Sequence, residues 1–231
     1  MKIVCFKKKF LLCCLLIVVL ISVSVGVFFG VKEANSQPSQ TKVIVIDAGH
    51  GGIDGGATGK QTGIYESELN LQYAFALQKI CQEFGYKTIL TRTDMNGLYS
   101  PIASSKKKSE MQRRKEIIQN ANPDFVVSLH MNSFGSASAR GAHVFYAQDS
   151  VSGEAMATSV AEMLFENVDY AHKEAKVGDY FVLNCTNVPS VLVECGFLSN
   201  PEEELLLQDK QYQSKFCYHL FCGILMFQKM N

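Results

Sequence analysis

Three polar side chains stand where buried strands are expected to end. His50 follows the apolar run KVIVID, His130 is the last residue of DFVVSLH, and Glu194 lies in VLVECG. Ligands of open α/β proteins gather beyond the carboxyl ends of the strands. A histidine or glutamate placed there among apolar neighbours is costly unless it is hydrogen-bonded or binds a ligand. The pattern therefore predicts one polar site built from these residues.

The chemistry that this pattern favours is metal-dependent hydrolysis. A catalytic zinc ion usually has three ligands from His, Glu and Asp, with water at the open position. Besides His50 and His130, the stretch YESELN offers Glu66 or Glu68 at the start of a predicted helix. Residues two apart on a helix point in different directions, so both glutamates are not expected to bind one ion. The alternative is that the glycine-rich stretch 45–56 holds a phosphate, but it lacks the framing of either phosphate-binding motif.

The elements that would position these residues alternate between strands and helices. Apolar runs rich in Val, Ile and Phe predict strands at 42–47, 86–92, 124–130, 142–147 and 189–196, with 179–184 as a sixth. Apolar stripes at helical spacing predict helices at 69–84, 111–120, 153–166 and 212–224. Gly85 stands where the first of these helices should end. The alternation predicts a three-layer α/β domain, with a central mostly parallel or mixed sheet of about six strands flanked by helices.

The N-terminal region differs from the rest in composition. Residues 10–30 form an uncharged apolar run of about 21 residues, close to the ~20 that cross a bilayer as a helix. Lysines precede this run, which predicts that the N-terminus is cytoplasmic and the remainder is exported. A cleaved signal peptide is the alternative, because small residues alternate at 22–26. We expect a basic stub with a membrane-spanning or signal-anchor segment at 1–31, a linker at 32–42 and a catalytic domain at 43–231.

The overall charge excludes one class of partner. The 22 Lys and Arg residues balance the 22 Asp and Glu residues, so the chain is formally neutral. A neutral chain has no long-range field to attract nucleic acid. We therefore expect no nucleic-acid partner, and we expect binding to come from a local site.

Six motifs give the chain a resemblance to a known family. In chain order they are VIDAGHGGIDGGATG, YESELNL, TRTD, QRR, VVSLHMNS and VPSVLVECGFLSNPEE. They resemble the successive motifs of the zinc-dependent N-acetylmuramoyl-L-alanine amidases of the amidase-3 type. The match begins near residue 43 and continues to the C-terminus, so it covers nearly all of the part expected to be exported.

The resemblance implies an activity and a role for each site residue. The activity is hydrolysis of the amide bond between N-acetylmuramic acid and L-alanine in peptidoglycan. His50, Glu66 and His130 match the family's ligands of one Zn²⁺ ion per chain. Glu194 matches the general base, and Glu68 matches an acidic position that does not bind the ion.

Three further residues are candidates for supporting the ligands or the substrate. Asp47 and Asn132 are suited to this because zinc-bound histidines usually donate their other N–H to a carboxylate or a carbonyl. Arg114 matches a recurring arginine of the family. Ser133 departs from the family, which usually has alanine there.

The layout and one loop also resemble a narrower group. A single catalytic domain on a membrane anchor, with the stretch LYSPIASSKKKSEMQRR at 98–114, is similar to the sporulation and germination-specific amidases. This likeness implies that the domain lies outside the cytoplasm and removes peptides before muramic-δ-lactam forms in spore cortex. It also implies a possible activating lipoprotein partner.

Three other functions compete with this interpretation. A vegetative cell-wall amidase could share the same layout. A zinc carboxypeptidase that cuts within the stem peptide would need an arginine for the terminal carboxylate, and candidates are Arg92, Arg113, Arg114 and Arg140. A non-catalytic module that binds zinc or glycan could have the same ligands, although it would have no use for a general base at Glu194.

Overall fold

The computed structural model describes residues 41–230 of the chain. Within this range the strands are β1 Val43–Ala48, β2 Lys87–Leu90, β3 Phe125–Asn132, β4 His143–Tyr146, β5 Lys176–Val177 and β6 Ser190–Phe197. The α-helices are α1 Glu66–Glu83, α2 Lys106–Ala121, α3 Val151–Asn167, α4 Pro201–Gln208 and α5 Lys210–Met230. A short 3-10 helix spans Phe181–Asn184.

The strands form one sheet in the order β2-β1-β3-β6-β4-β5. Strands β2, β1, β3 and β6 are parallel, whereas β4 is antiparallel to β6 and parallel to β5. The carboxyl ends of β1, β3 and β6 therefore lie side by side at one end of the sheet. The register places His130 directly beside Glu194. This topology brings the predicted polar residues to one place.

Helices cover both faces of the sheet. Helices α1, α3 and α5 pack on one face, where the larger apolar core lies. Helix α2 and the 3-10 helix cover part of the other face, over a smaller core. Burial on both faces explains why β1, β3 and β6 are almost continuous apolar runs. The predicted α/β domain, with a mostly parallel sheet flanked by helices, is confirmed.

The sixth strand does not lie where the sequence predicted it. The prediction of a strand at 179–184 is wrong, because Phe181–Asn184 is a 3-10 helix. The N–H of Leu183 donates to the carbonyl of Tyr180 at 3.1 Å, so the backbone is satisfied within the turn rather than in a ladder. Val182 and Leu183 are both buried, whereas a half-buried strand would alternate. The sixth strand is the two-residue β5.

Helix α4 was not predicted from the sequence, although its first turn carries strong signals. The side-chain oxygen of Asn200 accepts the N–H groups of Glu202 at 3.0 Å and Glu203 at 3.1 Å. Pro201 occupies the first turn, where its missing N–H costs nothing. The helix has eight residues, too few for an apolar stripe to stand out. Capping, rather than periodicity, marks this element.

The predicted anchor at 1–31 and most of the linker at 32–42 lie outside the described residues. Residues 41 and 42 precede β1 and have no regular secondary structure. Within residues 41–230, no helix combines the length and the hydropathy that crossing a membrane requires.

Candidate metal and catalytic site

His50 follows β1 and forms one side of the candidate metal site. Its φ of 60° lies in the left-handed region, which residues other than glycine seldom adopt. Nε2 of the ring lies 3.1 Å from Oε1 of Glu66, and Nδ1 lies 2.9 Å from Oδ1 of Asp54. Burial disfavours the charged ring, but the hydrogen bonds and charges of Glu66 and Asp54 raise the pKa of His50. Asp54 thus lies behind the ring, in the position of the carboxylates that support metal-binding histidines.

Glu66 is the first residue of α1 and lies between the two histidines. Its Oε2 accepts the N–H of Ala57 at 2.8 Å, and its Oε1 accepts the N–H of Met131 at 3.2 Å. Burial disfavours the charged carboxylate, but His130 and His50 hold the pKa of Glu66 well below its usual range. The side chain is therefore fixed in place and ionised, as a metal ligand must be.

His130, near the carboxyl end of β3, completes the group. Its Nδ1 lies 2.9 Å from Oε1 of Glu66, and its ring meets that of His50 edge to face at 5.0 Å between centroids. One ligand atom from each of these three residues lies within 4.8 Å of the others. Glu68, two positions along the helix, is exposed. Two imidazoles and one carboxylate match the donor set of a catalytic zinc site, so the residues fit the ion that the resemblance implies.

Glu194 lies beside His130 across the ladder between β3 and β6. It is 9% exposed, and its Oε2 has no hydrogen-bond partner among the residues that the structure describes. Burial raises the pKa of Glu194 to about 7; the charge of Glu66 adds to this effect, while His130 and His50 oppose it. A carboxyl group that titrates near neutral pH can both accept and return a proton.

A buried ion pair braces the loop that carries His50. Asp47 accepts hydrogen bonds from Thr91 Oγ1 at 2.7 Å and Ser128 Oγ at 2.6 Å, and also from Nη1 of Arg114. Nη2 of Arg114 donates to the backbone carbonyl of His50 at 2.6 Å. Asp47 therefore supports His50 through Arg114 and the backbone, whereas the sequence had suggested a bond to an imidazole.

The substitution Asp47→Asn is expected to destabilise the domain. It breaks the buried pair between Asp47 and Arg114 and leaves Glu110 as the carboxylate still paired with that guanidinium among the described residues. Breaking a buried pair costs about 3–5 kcal/mol. Burial opposes ionisation of Asp47, but Arg114 and the two hydroxyl groups lower its pKa to about 2. The stabilisation is thus present above pH ~4 and is lost as the pH falls toward ~2. Urea unfolding should show a lower midpoint for the variant at neutral pH and a smaller difference from wild type in acid; equal midpoints at neutral pH would contradict this.

Two residues support the loop in ways that were not predicted. Arg92 is buried and donates to the backbone carbonyls of Ala48 and Gly49, both at 3.0 Å. Asp54 contacts Nδ1 of the His50 ring. Each had a signal in the sequence, since Arg92 follows β2 at the same end of the sheet and Asp54 lies four residues after His50. Their roles depend on the path of the loop, which spacing alone does not determine.

Gly49 leaves space for the ring of His130. A Cβ atom at position 49 would lie 2.2 Å from Cε1 and 2.4 Å from Nε2 of that ring. Gly49→Ala should therefore displace His130 and lower zinc affinity about 10- to 100-fold, the usual effect of removing support from a ligand. Calorimetric titration with Zn²⁺ measures this, and Gly135→Ala is the control because nothing lies within 4 Å of a Cβ there. Equal zinc affinities in the two variants would refute the argument.

The candidate ligands and Glu194 line a cleft of about 380 Å³. Asn132 also lines it, but its Oδ1 accepts the N–H of the adjacent Ser133 at 2.8 Å. An apolar wall is formed by Met111, Phe181, Val182 and Leu192. A concave site with an apolar wall and a few convergent polar groups is the usual form of a substrate site.

Comparison with known proteins identifies the family. Residues 44–225 match the amidase-3 family, described as N-acetylmuramoyl-L-alanine amidase. The germination-specific N-acetylmuramoyl-L-alanine amidase of Bacillus subtilis (strain 168) is 34% identical over 197 residues, which are 83% of this chain and 82% of that protein. The similarity therefore extends across most of both proteins.

Solved structures show the same fold. The CwlD amidase of Clostridioides difficile, solved in complex with the GerS lipoprotein, is 36% identical with a TM-score of 0.78, covering 83% of this chain and 100% of that chain. The catalytic domain of CwlV, an N-acetylmuramoyl-L-alanine amidase from Bacillus (Paenibacillus) polymyxa var. colistinus, is 29% identical with a TM-score of 0.72, again covering 83% and 100%. The chain therefore belongs to the amidase-3 family and is an N-acetylmuramoyl-L-alanine amidase that acts on peptidoglycan.

Proposed function

We propose that this amidase cleaves the bond between N-acetylmuramic acid and L-alanine with one Zn²⁺ ion held by His50, Glu66 and His130. One observation carries the proposal: the three ligand atoms lie within 4.8 Å of one another, beside the buried carboxyl of Glu194. The donor set is that of a catalytic zinc ion with an open position. Glu194 is the general base, because its buried carboxyl group lies beside His130 at the metal site and its Oε2 has no partner among the described residues.

The residues at the candidate site have different roles in the proposed reaction. Zinc, when bound, supplies a Lewis acid that polarises the amide carbonyl and lowers the pKa of water. Glu194 accepts the proton of the attacking water and delivers it to the departing amine of L-alanine. Glu66 stays ionised, and Asp54 keeps the His50 ring in one orientation. The products are a lactyl carboxylate on muramic acid and a peptide with a free L-alanine amino group.

We further propose that the enzyme acts outside the cytoplasm, anchored in the membrane by residues 10–30, on the peptidoglycan of the spore cortex. The apolar run and the lysines before it support the anchor. The name of the Bacillus subtilis relative, a germination-specific amidase, supports the spore role. The Clostridioides difficile amidase was solved with a lipoprotein bound, so we propose an activating lipoprotein partner for this chain as well.

The arginines weigh against the carboxypeptidase hypothesis. Arg92 and Arg114 are buried, and their guanidinium groups donate to backbone carbonyls and carboxylates. Arg113 and Arg140 are exposed, pair with surface glutamates and lie outside the lining of the cleft. Among the described residues, no arginine is therefore placed to bind a terminal carboxylate beside the metal site.

The decisive experiment analyses the products of the reaction. The purified full chain in detergent is incubated with peptidoglycan and Zn²⁺, with and without a chelator, and the soluble products are identified by mass spectrometry. We expect peptides that begin with free L-alanine, and we expect them to be absent with chelator. Products cut inside the stem peptide would support the carboxypeptidase instead, and release that persists in chelator would refute the role of zinc.

The spore role needs a separate test. Cortex from a strain that lacks this protein should contain no muramic-δ-lactam, and the wild-type gene should restore it. A Glu194→Gln gene should not restore the lactam, since the modification needs the peptide removed first. Normal lactam in the deletion strain would favour the vegetative alternative.

A further inference from the structure

A lysine stands at the mouth of the catalytic cleft, in the first turn of α2. Lys107 lines the cleft, and its side chain is 65% exposed. Its Nζ lies 3.0 Å from Oδ2 of Asp54, whose other oxygen lies 2.9 Å from Nδ1 of His50. The side chains of Asp54 and His50 therefore connect this ammonium group to Glu66. The ammonium group itself faces solvent at the entrance of the cleft.

Lys107 is the cation that remains available in this cleft. Among the described residues that line it, Arg114 is the other lysine or arginine. Its two Nη atoms donate to Asp47, Ala48, His50 and Glu110. Lys107 has three N–H donors and pairs with one carboxylate among the described residues. A ligand that enters the cleft can therefore bind Lys107 and cannot displace the partners of Arg114 without breaking the buried network.

The start of α2 has a charge pattern that helix stability does not explain. Lys106, Lys107 and Lys108 occupy its first turn, which contains no acidic residue. Positive side chains at a helix N-terminus oppose the helix dipole, and each such interaction is worth about 0.3–1 kcal/mol. The floor of the cleft holds the carboxyl groups of Glu66 and Glu194. Lys107 thus places a positive charge at the entrance of the cleft, apart from the carboxyl groups that lie at the candidate metal site.

We propose that Lys107 binds a carboxylate of the stem peptide and makes the enzyme prefer stems whose second residue, after L-alanine, carries a free carboxylate instead of an amide. The proposal rests on the proposed amidase function, because it places the cleaved bond at the metal site. Two residues of extended peptide span about 7 Å, enough to carry the second residue from the cleaved bond toward the entrance. The ammonium group of Lys107 can bind the substrate carboxylate through a free N–H while it keeps its contact with Asp54, or it can release Asp54 and bind the substrate carboxylate in its place.

Two synthetic muropeptides test the proposal, identical except that the second residue is D-glutamate with a free α-carboxyl group or the corresponding amide. We expect the wild-type kcat/KM to be about 2- to 5-fold higher for the acid, the range for one exposed charge pair. Lys107→Gln should lower this ratio to about 1. The matched control is Lys106→Gln, which removes the same charge from the same turn. Lys106 lies over the ring of Tyr99 at 5.2 Å, outside the lining of the cleft, so its variant should keep the wild-type ratio.

The other outcomes are distinct. A wild-type ratio near 1, or a ratio that Lys107→Gln leaves unchanged, would overturn the proposal. Equal losses on both substrates in Lys107→Gln would also overturn it, because that pattern assigns the lysine to the support of Asp54 and His50. If Lys106→Gln lowered the ratio of kcat/KM values as much as Lys107→Gln does, the preference would come from the general electrostatic field of the lysines. That result would overturn the specific contact with Lys107. Failure of the wild type to release L-alanine peptides from either substrate would count against the proposed function itself.

Discussion

Glu194→Gln is expected to lower kcat about 10²- to 10⁴-fold while zinc stays bound, the range by which general acid–base catalysis accelerates reactions. Glutamine has the same shape as glutamate but cannot take a proton from water. Glu194 is buried beside His130, and its Oε2 has no partner within residues 41–230, so no neighbouring side chain holds that oxygen away from substrate. Release of L-alanine peptides measures kcat, and elemental analysis measures bound zinc.

A matched variant separates this effect from loss of charge. Glu68→Gln makes the same chemical change at an exposed position of α1 and should keep wild-type activity. The thermal midpoint of Glu194→Gln should equal or exceed that of the wild type, because the buried carboxyl makes little use of its charge for folding. A Glu194→Gln variant that retained a tenth or more of wild-type kcat would remove this residue from the proton transfer.

Glu66→Gln is expected to remove zinc and activity together. Oε1 of the Glu66 carboxylate lies 3.1 Å from Nε2 of His50 and 2.9 Å from Nδ1 of His130, so it contacts both imidazoles. An amide loses the negative charge and can direct an NH₂ group at the N–H of Ala57, which the carboxylate now accepts. Changes to the supports of a metal ligand cost about 10- to 100-fold in affinity, so loss of the ligand itself should cost more than 100-fold.

Zinc titration monitored by a competing chelator measures this affinity, and peptide release measures activity. Glu68→Gln again serves as the control, two residues away in the same turn of α1. Chelator treatment of the wild type should reproduce the activity loss, and added Zn²⁺ should restore the wild type but not Glu66→Gln at equal concentration. Zinc affinity in Glu66→Gln within a few-fold of wild type would exclude Glu66 as a ligand.

The sheet could be predicted because its central strands are buried on both faces. In β1, β3 and β6 the apolar run is almost unbroken, and each run ends at or near a polar residue of the cleft. A parallel arrangement brings those ends together. Periodicity failed where an element is short or half exposed: Phe181–Asn184 closes into a turn through its own backbone, and Pro201–Gln208 depends on the cap at Asn200.

The sequence by itself determined the fold class, the family motifs and the set of polar residues at the ends of strands. These features depend on the types of residues that are near one another along the chain, such as the apolar runs of buried strands. Only the tertiary structure decided which contacts those residues make. Asp54 rather than Asp47 faces the His50 ring, and Lys107 reaches the cleft from the first turn of α2, which precedes the helix predicted at 111–120. These contacts join residues on separate elements, so they depend on loop paths and strand register, and a linear pattern of residue types specifies neither.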